Sequence, residues 1–278
     1  MRKLVSIAVA IAAMMGGMNG VNAQVASNIS RCEARDATID DLIVHCTVAI
    51  KSGRLTAGQE ARAFLNRGTA FFDRAQYSLA IRDYGFAEER DPGLSAIYAN
   101  RANALVRLGE GQRAVQEYDR ALRLDPQDIQ SMIGRGGALM QMTRYAEAAQ
   151  SFTQALSVER QNTTALYNRG LAALRLDRAQ QAVSDFGQVI QLSPRDAEAF
   201  ASRAQAFQKI GELNRAYEDY SRAIQIDEGY SFAWFRRGKL MVDDGRPEEG
   251  NPDLARAYRL GHSDPWLAEY VVKLGRSE

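Results

Sequence analysis

An arginine recurs every 34 residues along most of this chain, at Arg67, Arg101, Arg135, Arg169, Arg203 and Arg237. The residues sixteen positions after them are Asp83, Glu117, Ser151, Asp185, Asp219 and Asp253, of which five are acids. A guanidinium can bind an anionic ligand, or it can form a forked ion pair within its own chain. We predict ion pairs, because burying an unpaired arginine is costly and the acids recur in phase. Arg135, followed by Ser151, is predicted to lack an acid within its repeat.

The position before each arginine is a second candidate for chemistry. It is occupied by Asn66, Asn100, Gly134, Asn168, Ser202 and Arg236. An asparagine amide donates and accepts hydrogen bonds at once, so it suits the binding of a peptide backbone. The same residues are equally compatible with a solvated polar face of a helix.

The sequence contains no pattern that is typical of catalysis. Its only histidines, His45 and His262, lie near opposite ends of the 278 residues, and no nucleophile triad, phosphate-binding loop or metal-ligand spacing is visible. The 35 basic and 34 acidic residues nearly balance, which does not indicate nucleic acid or an anionic membrane as partner. We therefore predict that the protein is not an enzyme and needs no cofactor and no metal.

The elements that must position these residues are pairs of helices. In the second repeat, one helix is predicted from Ser95 to Leu108 and another from Gln112 to Leu124. Glycines between them favour a tight turn, and Pro126 ends the second helix because proline cannot continue the hydrogen-bond ladder. Small residues allow close approach of the two helices, and a large aromatic fills the space beside them.

The repeat resembles the tetratricopeptide repeat, which has the same length and two antiparallel helices. The residues that carry the resemblance in the second repeat are Tyr98, Ala102, Leu105, Ala114, Tyr118, Ala121 and Pro126. It implies an all-α fold, a right-handed α-solenoid of tandem helix-turn-helix units. The six units are expected at 61–94, 95–128, 129–162, 163–196, 197–230 and 231–264. In the sixth, Gly250 replaces the small alanine, and the second helix is expected to begin only at Pro252.

In this family the first helix of each repeat lines a concave groove that binds peptides. The resemblance therefore implies a peptide-binding groove formed by Asn66, Asn100, Asn103, Arg107, Tyr167, Asn168, Arg175, Gln205, Lys209 and Arg236. Three basic residues in the middle repeats, Arg107, Arg175 and Lys209, favour an acidic or C-terminal peptide as the partner. The clamp with which chaperone-binding members hold a C-terminal carboxylate is not carried over, since Leu65 stands where that clamp has lysine.

Residues 1–23 have the pattern of a secretory signal peptide. Arg2 and Lys3 precede an apolar run over residues 4–15, and small residues precede Gln24. The run is shorter than the roughly 20 residues of a membrane span, so an uncleaved anchor is the weaker interpretation. We predict export across the inner membrane of a bacterium, with Gln24 as the first residue after cleavage, and a periplasmic protein without stable membrane insertion.

The only two cysteines, Cys32 and Cys46, precede the repeats. In an oxidising compartment such a pair is expected to form a disulfide that contributes about 3 kcal/mol, whereas the alternative is two unlinked buried thiols. Residues 24–37 are expected to be loosely ordered up to Cys32. A helix that begins after Thr38 then buries Cys46 and Ala49, and we interpret residues 24–60 as an N-terminal segment with a half-repeat.

Residues 265–278 form the end of the chain, where Trp266, Tyr270 and Leu274 recur at four-residue spacing. This predicts an amphipathic capping helix for the end of the array.

The predicted function is that of a scaffold or adaptor of the bacterial cell envelope, with a monomer favoured. Two alternatives are a scaffold that self-assembles through Trp266 and Tyr270, and a polysaccharide-binding module. The second requires exposed aromatic rings in the groove, such as Tyr167 and Phe235.

Overall fold

A computed structural model describes residues 24–34 and 36–274 of the chain. The predicted signal peptide lies outside these residues. The described residues are helical with no strand, and residues 24–32 form the first helix, α1. The helices that follow are α2 (Ile39–Lys51), α3 (Ala57–Asp73), α4 (Tyr77–Arg90), α5 (Ser95–Arg107), α6 (Gly111–Leu124), α7 (Ile129–Gln141), α8 (Tyr145–Val158), α9 (Thr163–Arg175), α10 (Ala179–Leu192), α11 (Ala197–Lys209), α12 (Leu213–Ile226), α13 (Ser231–Asp243), α14 (Pro247–Arg259) and α15 (Pro265–Leu274).

The chain forms two compact units that divide within α7, between Ala138 and Leu139. In the first unit, α3 packs on α4 and α5 packs on α6, and consecutive pairs also contact each other. In the second unit, the corresponding pairs are α9 with α10, α11 with α12 and α13 with α14, and α15 packs on α14. The helices predicted for the second repeat match α5 and α6 to within one residue.

The turn between the two helices of each pair contains one residue in the left-handed conformation. These residues also recur every 34 positions, at Ala75, Gly109, Thr143, Asp177, Gly211 and Gly245. Gly109 adopts φ +78° as the sequence predicts, because glycine has no Cβ to oppose it. Thr143 adopts φ +58° although it is β-branched, so the helix pairing imposes the turn on residues that do not favour it.

Small residues in the interior of the pairs leave the space that large side chains fill. A Cβ added at Gly68 would lie 2.7 Å from the ring of Tyr84, and one at Gly170 would lie 2.8 Å from the ring of Phe186. Both rings are fully buried. The prediction that an aromatic fills the gap beside a small residue is therefore confirmed at these two positions.

The prediction that the second helix of the sixth repeat begins at Pro252 is wrong. Helix α14 begins at Pro247, a first-turn position where the fixed φ of proline suits a helix, and Pro252 lies inside it. Gly250 replaces alanine because the two backbones touch there. A Cβ on Gly250 would lie 2.4 Å from the carbonyl oxygen of Gly238, and one on Gly238 would lie 2.8 Å from that of Gly250.

The expectation that residues 24–37 are loosely ordered up to Cys32 is also wrong, since α1 is helical and precedes α2. Asn28 is buried and binds in two directions, through Nδ2 to the carbonyl oxygen of Gln24 and through Oδ1 to Nδ1 of His45, 2.7 Å away. The predicted disulfide between Cys32 and Cys46 is present. A helix therefore precedes α2, and its polar residue Asn28 is hydrogen-bonded to Gln24 and to His45.

Candidate functional site

The recurring arginines form ion pairs between the two helices of a pair. Arg67 donates to both carboxylate oxygens of Asp83, at 2.6 and 3.0 Å, and the Asp83 side chain is completely buried. Pairs of the same forked form join Arg169 to Asp185, Arg203 to Asp219 and Arg237 to Asp253. Arg101 binds Glu117 and also Glu88 of the preceding pair. The predicted within-repeat pairing is therefore present in all five repeats that have the acid.

Arg135 differs, because the carboxylate missing from its own repeat is supplied from the preceding helix. Its Nε donates to Oδ1 of Asp119 on α6 at 2.7 Å. The sequence analysis considered only the acid within the same repeat and therefore missed Asp119 as a partner of Arg135. At the equivalent places in two other repeats, Nη1 of Arg169 donates to Thr153 at 3.4 Å and Nη1 of Arg237 donates to Ser221 at 2.9 Å. Each arginine thus joins helices of its scaffold, and its charge is compensated inside the chain.

Two asparagines of the first unit, Asn66 and Asn100, make hydrogen bonds within the chain. Nδ2 of Asn66 donates to the carbonyl oxygen of Cys32, at the end of α1, at 2.9 Å. Nδ2 of Asn100 donates to Oγ1 of Thr69 at 3.3 Å, and Thr69 in turn donates to the carbonyl oxygen of Leu65. Because this relay has a fixed direction, the amide nitrogen of Asn100 is used and its Oδ1 makes no bond within the described residues.

A cleft of about 370 Å³ lies between α5 and α7, and both Asn100 and Asn103 line it. The hydroxyl of Tyr118 donates to Oδ1 of Asn103, so the amide nitrogen of Asn103 keeps its donors. Gly134 stands opposite because a Cβ there would lie 2.5 Å from the Tyr118 hydroxyl. The missing asparagine of the third repeat therefore has a steric cause. Arg107, another predicted groove residue, stacks over the ring of Tyr77 at 5.5 Å.

In the second unit, Tyr167 and Asn168 line a smaller cleft of about 210 Å³ together with Asp196 and Glu198. The hydroxyl of Tyr167 lies 3.1 Å from Oγ of Ser202, and its ring contacts Phe186 edge-on. Nδ2 of Asn168 donates to the carbonyl oxygen of Thr164 on its own helix at 2.8 Å. Its bond is therefore local and does not extend to a neighbouring repeat.

The remaining predicted groove residues differ in how they are paired. Lys209 forms an ion pair with Asp177, the left-handed residue of the preceding turn. Arg175 is exposed, and it makes no ion pair or hydrogen bond within the part of the chain that the structure describes; Gln205 is half-buried and equally unpaired there. Nε of Arg236 lies 3.4 Å from the Tyr220 hydroxyl, and its Nη2 donates to Oε1 of Gln208 at 3.2 Å.

The hydroxyls of buried tyrosines reach polar side chains on the first helix of each pair, as Tyr118 reaches Asn103 and Tyr220 reaches Gln208. The sequence analysis missed these tyrosines. Tyr84, Tyr118 and Tyr220 occupy the large aromatic position of their repeats, where Phe152 and Phe186 stand in others. Burial raises the pKa of Tyr84 and of Tyr118 to about 12 in each case. Burial also raises the pKa of Tyr220. The alternation of tyrosine and phenylalanine at one repeat position could have indicated these hydrogen bonds, because tyrosine has a hydroxyl that can reach the first helix and phenylalanine has none.

Aromatic residues near the end of the chain pack against their own unit. Phe235 is buried and stacks on His262 with ring centres 4.4 Å apart, and burial lowers the pKa of that histidine. Trp266 stacks on Tyr270, whose hydroxyl donates to Oδ1 of Asn251 at 2.9 Å. The capping role predicted for α15 agrees with these contacts. The condition for polysaccharide binding fails at Phe235, which offers no exposed stacking face.

Two features of the described residues concern metals and membranes. No group of three or more histidine, cysteine, aspartate or glutamate side chains is placed there to hold a metal ion. None of the helices in residues 24–34 and 36–274 combines the length and the apolar character that crossing a membrane requires.

Comparison with solved structures supports the helical-repeat architecture. YrrB, described as "a TPR protein with an unusual peptide-binding site", is 25% identical, with a TM-score of 0.57 over 68% of this chain and 97% of YrrB. A tetratricopeptide repeat protein from Parabacteroides merdae is 20% identical, with a TM-score of 0.62 over 90% of this chain and 96% of its own. PilF of Pseudomonas aeruginosa is 20% identical, with a TM-score of 0.64 over 78% and 99%. No curated protein matches the chain.

Family models extend this result to the sequence itself. One model of the tetratricopeptide repeat matches residues 65–129 and 134–191, and a second matches residues 197–230. Together they cover more than half of the chain. The predicted all-α fold of tandem helix pairs is confirmed by the helices and by these matches, and the chain belongs to the tetratricopeptide repeat family.

Proposed function

We propose that this protein is an exported scaffold of the bacterial cell envelope that binds an extended segment of a partner protein. The proposed binding surface is the first-helix face of the first unit, by which we mean the exposed side chains of α3, α5 and α7. The second unit has a first-helix face of its own, on α9, α11 and α13. The proposal depends mainly on one observation, the polar cleft between α5 and α7.

The cleft offers a matched donor and acceptor. Asn100 binds Thr69 through Nδ2, and its Oδ1 makes no bond within the described residues. Asn103 accepts from Tyr118 through Oδ1, and its Nδ2 makes no bond there. The two side chains lie three positions apart on α5, so they occupy the same side of the helix. A peptide backbone presents a carbonyl oxygen and an N–H group in the same way, and an unpaired backbone needs both.

The comparison with YrrB supports a peptide as the ligand, since that protein is described by its peptide-binding site and aligns over 97% of its length. The charges of the arginine pairs are compensated internally, which makes them poor candidates for ligand binding. Trp266 and Tyr270 contact their own unit, so the feature that favoured self-assembly is used inside the chain.

Export is supported by the sequence at the start of the chain and by the disulfide between Cys32 and Cys46. Disulfides persist in oxidising compartments and are rare where thiols are kept reduced. We expect the protein in the periplasmic fraction of the organism that encodes it, with Gln24 as its first residue in N-terminal sequencing. Recovery of the whole chain from the cytoplasm, starting at Met1, would contradict export.

The binding proposal is tested with a defined probe, a synthetic library of random ten-residue peptides. The purified protein is incubated with the library, and retained peptides are sequenced by mass spectrometry. We expect the wild type to retain peptides, and the double variant Asn100→Ala, Asn103→Ala to bind them at least 10-fold more weakly. The matched control changes two exposed residues of α6, Arg113→Ala and Gln116→Ala, and should bind as the wild type does.

Thermal unfolding of each variant separates lost binding from lost structure. The proposal fails if the folded wild type retains no peptides, or if the double variant remains folded and binds as tightly as the control.

A further inference from the structure

We propose that a second copy of this chain docks on α2, so that the α2 helices of the two copies lie antiparallel. The contact surface is one stripe of α2, formed by Asp40, Val44, Val48 and Lys51. These residues follow each other at intervals of four, four and three positions, which places them on one side of the helix. The inference goes beyond the proposed function, since the stripe contains no residue of either first-helix face.

Helix α2 takes the place of the second helix of a repeat. Nη1 of Arg67 donates to Oγ1 of Thr47 on α2 at 3.1 Å. Nη1 of Arg169 donates in the same way to Oγ1 of Thr153 on α8 at 3.4 Å. Thr47 is therefore equivalent to Thr153, and the other residues of α2 can be matched to those of the later second helices from this pair.

The stripe is apolar at two places that are polar in the later repeats. Val44, three residues before Thr47, is 56% exposed, and Val48, one residue after it, is 45% exposed. At the place of Val44, helices α4, α6, α8, α10 and α12 have exposed polar residues, which are Arg82, Gln116, Gln150, Ser184 and Glu218. At the place of Val48, four of these five helices have exposed polar residues, which are Arg120, Gln154, Gln188 and Arg222. One exposed valine is ordinary on a protein surface, whereas two at neighbouring places of an otherwise polar face favour a contact surface.

The two ends of the stripe carry opposite charges. The side chain of Asp40, in the first turn, is 71% exposed although Arg74 forms an ion pair with it. Lys51, in the last turn, is exposed and makes no ion pair or hydrogen bond in the part of the chain that the structure describes. In an antiparallel pair, Val44 of each copy faces Val48 of the other, and Asp40 lies close to Lys51. A parallel pair would set like charges together, so the stripe is complementary to a second copy in one orientation.

The neighbouring helices α1 and α3 pack on other sides of α2. Helix α1 contacts it through Asn28 at His45 and through the disulfide at Cys46. These two positions lie about 100° and 200° around the helix from Val44. Cys46 and Ala49 are the buried residues of α2, and this helix packs on α3. A second copy can therefore reach the stripe without displacing either neighbour.

The contact is small, so we expect a weak dimer. Stable interfaces bury at least about 1,200 Å², and the stripes of two short helices offer less. Half-association is therefore expected at a concentration on the order of 100 µM. Exposed ion pairs contribute little free energy, so the charged ends select the orientation and the valines supply most of the affinity. The dilute protein remains monomeric, in agreement with the monomer that the sequence analysis favours.

Sedimentation velocity of the purified protein, from about 1 µM to about 1 mM, tests the dimer. The variant Val44→Gln, Val48→Gln gives α2 a residue type found at these places in later repeats and leaves its buried side unchanged. The matched control, Val158→Gln, Val272→Gln, makes the same changes at exposed valines of α8 and α15. We expect the control to dimerise as the wild type does and the α2 variant to dimerise at least 10-fold more weakly.

Disulfide trapping tests the orientation. The variants Asp40→Cys and Lys51→Cys are purified separately, mixed at about 0.5 mM and treated with a mild oxidant. We expect most cross-linked dimer in the mixture, with one copy of each variant. Either variant alone should cross-link poorly, because eleven residues separate the two ends of the stripe by about 16 Å along the helix axis.

Three outcomes contradict the inference. A wild type that stays monomeric to about 1 mM, or a folded α2 variant that dimerises as the control does, excludes the dimer. Cross-linking of each cysteine variant to itself as efficiently as in the mixture excludes the antiparallel arrangement.

A single charge reversal keeps the inference testable if the double valine variant unfolds. Lys51→Glu changes an exposed side chain and sets like charges together at both ends of the pair, so the dimer should weaken about 3-fold. An unchanged dissociation constant in this variant contradicts the charge-matched contact. The α2 variants should retain library peptides as the wild type does, which keeps this test separate from that of the proposed function.

Discussion

Arg236 and Arg237 are adjacent on α13, yet they belong to different regions of the molecule. Arg237 lies between the helices of its pair and donates to both oxygens of Asp253, at 2.6 and 2.9 Å. Arg236 lies on the first-helix face, where its partners are neutral. The same side chain thus serves the scaffold in one position and is available to a ligand in the next, because helical geometry turns neighbouring residues about 100° apart.

The difference extends to the rest of the chain. In the interior of the pairs, donors are matched by carboxylates and space is matched by large rings, as at Arg67 with Asp83 and at Gly68 with Tyr84. On the first-helix face, amides such as Asn100 use one of their two groups and leave the other open. Changes in the interior should therefore affect stability, and changes on the face should affect binding.

The largest effect is expected for Arg237→Ala, which leaves the buried carboxylate of Asp253 without its partner. Breaking one side of a buried ion pair typically costs about 3 to 5 kcal/mol. The free energy of unfolding, measured by urea titration, should fall by about that amount. Arg236→Ala should lower it by less, because no buried carboxylate is left unpaired and Tyr220 keeps its hydrogen bond to Gln208.

A double-mutant cycle makes this prediction sharper. If the pair acts as a unit, Arg237→Ala and Asp253→Ala together should cost clearly less than the sum of the single changes. Additive single changes, or equal costs at Arg236 and Arg237, would erase the distinction between the two regions.

An intermediate effect is expected for Gly250→Ala, because its Cβ would lie 2.4 Å from the carbonyl oxygen of Gly238. Helices α13 and α14 must then separate, which should cost about 1 to 3 kcal/mol as overpacking does. The control is Gly137→Ala on α7, where a Cβ would meet nothing within 4 Å. That change should be neutral or stabilise by up to about 1 kcal/mol through helix propensity. The urea unfolding midpoint of each variant is compared with that of the wild type. A midpoint that falls for Gly250→Ala but not for Gly137→Ala supports the contact, and equal shifts in the two variants contradict it.

The smallest effect is expected for Tyr118→Phe, which removes the hydrogen bond to Asn103 at the boundary of the two regions. At pH 7 the loss should be about 1 kcal/mol. The folded pKa of Tyr118, about 12, exceeds the value of about 10 for an unfolded tyrosine. Its contribution to stability is therefore present below pH 10 and is lost as the pH rises towards 12.

Unfolding curves measured between pH 7 and pH 12 check this sign. The wild type should lose stability faster than Tyr118→Phe above pH 10, so that the difference between them narrows. A difference that stays constant over this range would show that Tyr118 ionises equally in both states.

The regular part of this structure could be predicted from the sequence because each feature lies within one repeat. The pairing of Arg67 with Asp83 depends only on two helices joined by a short turn, and a spacing of sixteen residues expresses it directly. The disulfide between Cys32 and Cys46 followed from the presence of only two cysteines and from the expected compartment.

The features that escaped prediction depend on contacts between repeats or between backbones. Arg135 takes Asp119 from the preceding helix, a partner sixteen residues in the opposite direction. Gly250 suggested a late helix start, whereas the close approach of α14 to Gly238 explains it. The polar residues of α1 suggested disorder because their partners, such as His45 for Asn28, lie on another helix.

The hydrogen bond from Asn66 to the carbonyl oxygen of Cys32 has a consequence for how far a partner can extend along the first unit. A side-chain amide of α3 here binds a backbone carbonyl, the same type of bond that we propose for a partner segment. The disulfide to Cys46 keeps that carbonyl close by, and a short tether gives an effective concentration on the order of millimolar. A partner competes with this built-in ligand at Asn66, whereas the cleft between α5 and α7 is open to it without competition.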